Sequence, residues 1–111
     1  MEASDYCIIT TTTDSQENAD LITRLLLEKK LVACVQSTTI QSAYHWEGKI
    51  MQSEEIHLQM KTRRSLFETI QTEIEQLHTY DMPEIIMVSM AGGNLDYLQW
   101  IEEETTNIQS L

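Results

Sequence analysis

The sequence predicts an α+β sandwich of βαββαβ order with an extended hairpin and an extra C-terminal helix. Three observations lead there. β-branched and apolar runs alternate along the chain with segments of helical 3/4 spacing. Strand-like runs flank both long helical segments, so sheet and helices come from interleaved pieces. The segment from Tyr44 to Thr62, YHWEGKIMQSEEIHLQMKT, reads as two strand limbs meeting at Glu47-Gly48.

Each element has its own signal. Tyr6 to Thr12 (YCIITTT) is β-branched and aromatic, as a strand is. Asp14 starts a helix, with Glu17 three residues on in a capping-box pattern. Leu21, Ile22, Leu25 and Leu26 form its apolar face, and Lys29 and Lys30 suit its C-terminal dipole. Ala33 to Ile40 is a second strand, continued by extended chain to Glu47. Lys49 to Thr62 has neither Pro nor Gly; Ile56, Leu58 and Met60 face one way, Glu55, His57, Gln59 and Lys61 the other. The second helix begins at Thr62 or Ser65, where Ser65-x-x-Glu68 repeats the capping-box pattern, and carries Leu66, Phe67, Ile70, Ile74 and Leu77 inward. Tyr80 to Pro83 breaks it, because a residue before Pro is pushed out of the helical region. Glu84 to Met90 is an apolar, central strand, Gly92-Gly93 a turn, and Asn94 the cap of a third helix with Leu95, Leu98 and Ile101 inward. Glu102, Glu103 and Glu104 crowd that helix's C-terminus against the dipole, so the end should fray or lie against something. A single domain over 1–111 is expected, with 1–5 and 105–111 frayed.

This order is the ferredoxin-like split βαβ arrangement, and right-handed crossovers place its first two helices on one sheet face. The other face is left for a neighbour's sheet. The long limb points the same way. From Lys49 to Thr62 it would span about 45 Å at roughly 3.3 Å per residue. A domain of this length has a radius of gyration of about 13 Å, a diameter near 35 Å. Part of the strand should therefore project and pair with another subunit.

Charge narrows the function classes. With 7 Lys plus Arg against 18 Asp plus Glu, the net charge is −11, which argues against nucleic acid and for attraction of cations. No run of 18 apolar residues spans a membrane. The first residues, MEASDYC, lack the apolar stretch of a secretory signal, which gives a cytoplasmic expectation. Cys7 and Cys34 sit in apolar strand-like runs without metal spacing, as buried thiols do. No nucleophile elbow, P-loop or nucleotide fingerprint is present, so no enzyme is expected.

Some residues could carry chemistry. Lys61, Arg63 and Arg64 gather where a strand meets a helix N-terminus, which suits a phosphate or carboxylate; alternatively they neutralise Glu54, Glu55 or Glu68. His45, His57 and His78 form no metal-binding pattern, though the first two lie on opposite limbs of the hairpin. Tyr44, Trp46, Tyr97 and Trp100 suit interface anchors or core packing alike.

The segments Glu28–Cys34 (EKKLVAC), Tyr44–Lys49 (YHWEGK), Leu58–Thr62 (LQMKT), Tyr80–Ile86 (YDMPEII) and Asp96–Ile101 (DYLQWI) resemble, in order, the CutA divalent-cation tolerance proteins. The similarity runs from about residue 6 to 104. It implies a ferredoxin-like homotrimer, similar to the PII signalling proteins, in which the hairpin extends a neighbour's sheet. It implies a role in tolerance of copper and other divalent cations and no settled reaction. In some members copper is assigned to a first-strand Cys and a His pair; those positions read Thr10 and Leu77-His78 here, which leaves His78 as the metal candidate. The resemblance also implies an inter-subunit cleft built from Cys34, Trp46, Lys61, Glu84, Tyr97 and Trp100, for a metal or a small ligand. The alternative is a PII-like signalling trimer that binds a small anionic metabolite and has no direct metal role.

Overall fold

Strand β1 (Tyr6–Thr13) is the organising element of the computed structural model, which describes residues 2–106. Helix α1 (Gln16–Glu28), strand β2 (Cys34–Trp46), strand β3 (Lys49–Arg63), helix α2 (Phe67–Leu77), strand β4 (Ile86–Ser89) and helix α3 (Leu95–Glu104) follow. The sheet is antiparallel in the order β2-β3-β1-β4.

Register explains which face is the core. Cys7, Ile9, Thr11 and Thr13 point to the helix side, opposite Thr62, Met60, Leu58 and Ile56 of β3. Ile9, Leu58 and Met60 are buried there against Ile22 and Leu26 of α1 and Ile70 and Ile74 of α2. The alternation read along β3 therefore holds. Asn18 locks the corner: its Nδ2 donates to the Leu77 carbonyl at 2.9 Å and its Oδ1 accepts from Thr13 Oγ1 at 3.0 Å.

The other sheet face is covered at one end by α3 and over Thr12 and Glu55 by the loop after α2, and is otherwise open. Leu98 and Ile101 pack with Tyr6 under α3, and Ala3, Ala33 and Met90 close the cluster. Leu95 instead stands 63% exposed, against the expectation that it faces inward, because it sits at the first residue of the helix, ahead of the packed turn.

The hairpin turns at Glu47 (φ 49°) and Gly48 (φ 76°), the paired positive angles of a type I′ turn. Its β3 limb outruns β1, whose pairing ends at Thr13 opposite Ile56. Residues 49–55 thus have β2 on one side and, among the described residues, no strand on the other. The molecule measures 45 × 26 × 20 Å.

Several boundaries differ from expectation for local reasons. The α1 cap is Ser15, whose Oγ accepts from Asn18 N at 3.1 Å, rather than Asp14. Ser65 falls inside a 3-10 turn, Arg64–Leu66, so α2 starts at Phe67 without a side-chain cap. β4 is shorter than expected and pairs with β1 alone, so it is an edge rather than a central strand.

Where fraying was expected, both ends are tied down. Residues 3–5 form a 3-10 turn in which Glu2 N donates to Asp5 Oδ2 at 3.1 Å. Thr105 is buried, and Thr106 N donates to the Lys30 carbonyl at 2.7 Å. The rest of the expected C-terminal fray, 107–111, lies outside the described residues.

Candidate functional site

A groove of about 860 Å³ opens between the hairpin and the loop that follows α2. Tyr44, Trp46, His57, Tyr80, Glu55 and Glu84 are among the side chains that line it. The loop is placed by His78. Its Nδ1 accepts from Tyr80 N at 3.0 Å, so Nε2 carries the proton and donates to the Thr12 carbonyl at 2.8 Å. The His78 and Tyr80 rings lie 4.8 Å apart. Thus anchored, Tyr80 donates its phenolic hydrogen to Glu55 Oε2 at 2.7 Å. Burial first, and then this bond to a carboxylate, push the Tyr80 phenol well above its ordinary 10.0. Glu55 itself is only 8% exposed.

The second grouping sits at the base of the ribbon. Cys34 is directly opposite Lys61 in the β2–β3 register. Lys61 Nζ donates to Gln36 Oε1 at 3.0 Å and lies 5.6 Å from the centre of the Tyr97 ring. The Tyr97 and Trp100 rings are 5.3 Å apart. Cys34, Lys61, Tyr97 and Trp100 are thereby brought together. Trp46 and Glu84 are not among them; they line the groove. Twelve residues of strand separate Cys34 from Trp46, about 40 Å at the usual rise.

The basic cluster is largely spent on structure. Arg63 Nε donates to Thr105 Oγ1 at 2.8 Å, and its Nη2 donates to the carbonyls of Glu102 and Thr105. These bonds close the carbonyl end of α3, and they replace the expected pairing with Glu54, Glu55 or Glu68. Arg64 stays exposed.

For a metal the fit is poor within one chain. Both His78 nitrogens are engaged, so neither offers a lone pair to copper as the ring stands. Cys7, the first-strand thiol, is fully buried on the helix face, and burial raises it to about 11. Among the described residues no three His, Cys, Asp or Glu side chains converge to hold an ion. Sequence reasoning missed the Tyr80–Glu55 pair as a site. Its one available signal was Glu55 on the open face of β3, an acid on the sheet rather than in a loop.

A sheet in this order with two crossover helices on one face defines a ferredoxin-like α+β protein. The chain belongs to the CutA1 divalent ion tolerance protein family, whose model matches residues 7–104. The divalent-cation tolerance protein CutA of Pyrococcus horikoshii is 39% identical over 98 residues, covering 88% of this chain and 96% of that one. The chloroplastic protein CutA of Arabidopsis thaliana is 35% identical over 101 residues, 90% of this chain and 56% of that one. The solved structure described as the periplasmic divalent cation tolerance protein CutA of Archaeoglobus fulgidus superposes with a TM-score of 0.87 at 37% identity, covering 89% of this chain and 97% of that one. These relatives overturn the cytoplasmic expectation. Membership of this family is compatible with chloroplast and periplasm, so an unremarkable N-terminus does not fix a compartment. Among the described residues no helix is long and apolar enough to cross a membrane.

Proposed function

We propose that the chain acts as a homotrimer in tolerance of divalent metal ions, copper among them, through clefts between subunits that hold a metal or a small ligand. One observation carries this. Trp46 stands about 40 Å along the ribbon from the base group of Cys34, Lys61, Tyr97 and Trp100, so one cleft can take in both only if two chains build it. The open sheet face supports the same reading. Val88 is 56% exposed and Ile86 50%, apolar side chains on that face at the β4 edge, and residues 49–55 of β3 lack a strand on one side among the described residues. The family's description as divalent ion tolerance proteins supports the metal role.

Sedimentation equilibrium at micromolar concentration tests the assembly. A mass of three chains is expected, and a folded monomer would overturn it. Copper is tested separately by Cu(II) titration of the wild type and of His78→Ala. The occupied imidazole leads us to expect weak binding that the variant leaves unchanged, whereas tight stoichiometric binding lost in His78→Ala would restore His78 as a ligand.

A further inference from the structure

The groove contains a carboxyl group, Glu55, that among the described residues has a neutral phenol as its one partner. Glu55 is 8% exposed, and its one hydrogen bond among the described residues comes from a neutral phenol to Oε2. Oε1 takes none. No ion pair among the described residues involves Glu55, and no Lys or Arg lines the groove. Asp81 and Glu84 add further carboxylates to the same walls. Oε1 is not among the buried, unpartnered atoms of the described residues, so it is reachable from the groove and, beside Asp81 and Glu84, can receive a positive charge from outside the fold.

The walls say what kind of cation. A hydrated metal ion wants several donors at one point, and among the described residues no such group of His, Cys, Asp or Glu forms. Instead the groove presents aromatic faces: Tyr44 at 43% and Trp46 at 53% exposure, with Tyr80 behind Glu55. Such faces attract ammonium and guanidinium groups and cover an apolar body. Lys61 of the same chain does not line the groove and is held by Gln36 and the Tyr97 ring; a neighbour's Lys61 on the second wall is the competing counter-charge, which the Lys61→Ala variant decides.

We propose that this groove binds a small organic cation, a primary ammonium or guanidinium on a short apolar body, with its charge on Glu55 and its body on Tyr44 and Trp46. This deepens the cleft reading and rests on it for the second wall, which a neighbouring subunit supplies.

The test is calorimetric titration of the full chain with agmatine, which carries both head groups, repeated with magnesium and copper salts as competitors. Saturable binding is expected, with at most weak competition from either metal. Glu55→Gln should weaken it roughly tenfold or more, and Trp46→Leu, at an exposed position, about threefold or more. In a Trp100→Phe background the remaining tryptophan, Trp46, should change its fluorescence on binding. The proposal is overturned by no saturable agmatine binding by an intact trimer, or by binding that both variants leave unchanged. Binding that appears only in Lys61→Ala would also overturn it, by naming a neighbour's lysine as the counter-charge. A monomer that binds agmatine through Glu55 would instead overturn the trimer and keep the cation site.

Discussion

Tyr80 and Glu55, 25 positions apart in the chain, share a 2.7 Å hydrogen bond that closes the floor of the groove. Among the described residues the phenol is the only hydrogen-bond partner of a nearly buried carboxylate. Tyr80→Phe should therefore destabilise the protein by about 1–3 kcal/mol, because the acid is left buried and unsatisfied. The effect should depend on pH. The folded phenol holds its proton above the ordinary value of 10.0. Below that value both folded and unfolded chains are protonated, and the contribution is fully present. As pH rises past it, the unfolded chain releases its proton first and stability drains away. Urea midpoints of wild type and Tyr80→Phe should differ steadily between about pH 7 and 9 and converge above about 10. A constant gap at high pH would contradict this account.

Thr11 Oγ1 is buried in the helix-facing layer, opposite Leu58, with no hydrogen-bond partner among the described residues. Valine has the same shape without the hydroxyl. Thr11→Val should raise stability by about 1 kcal/mol, since a desolvated donor is removed and nothing is left unpaired. Thermal unfolding measures it. A lower melting temperature would mean that the hydroxyl has a partner in solution.

Much of this fold was legible because its signals are local. The alternation of Ile56, Leu58 and Met60 requires only neighbours two residues apart, and the Glu47-Gly48 turn only two adjacent positive angles. The overlong limb likewise followed from counting residues against a domain's diameter. What escaped depends on long separations. Arg63 meets Thr105 across 42 positions and His78 meets Thr12 across 66. No periodicity encodes such pairs. The split of the six cleft residues into two groups escaped for the same reason, because Trp46 and Cys34 share one strand but sit at its opposite ends. The capping-box readings failed more locally. At Ser65 a 3-10 turn took up the first residues that a straight helix would have used.

Arg63 closes the carbonyl end of α3 and so decides where that helix lies. Arg63→Ala would free the Glu102 and Thr105 carbonyls and the Thr105 hydroxyl from their guanidinium donor. The arginine is largely buried, 19% exposed, so water restores these bonds poorly. A loss of about 2–3 kcal/mol is expected, in keeping with charge-assisted bonds. Hydrogen exchange should localise the change, with amides of α3 deprotected and those of α1 and α2 unaffected. Uniform deprotection of the whole chain would show instead that α3 unfolds only with the core.

Lys30 ends α1 with φ at 56°, the left-handed region that most side chains avoid. The surrounding bonds form a Schellman cap: Lys30 N donates to the Leu27 carbonyl at 3.0 Å, and Leu31 N to the Leu26 carbonyl at 3.0 Å. Glycine suits that position without the steric cost of a Cβ. The side chain's ion pair with Glu104, at 3.8 Å between exposed groups, contributes little. The Lys30 carbonyl keeps its bond from Thr106 N whatever the side chain, since it belongs to the backbone. Lys30→Gly should therefore stabilise the fold by about 0.5–1 kcal/mol despite glycine's greater freedom when unfolded. Denaturant unfolding of the two proteins decides it. If Lys30→Gly is the weaker, the entropy of the unfolded chain outweighs the relief at the cap.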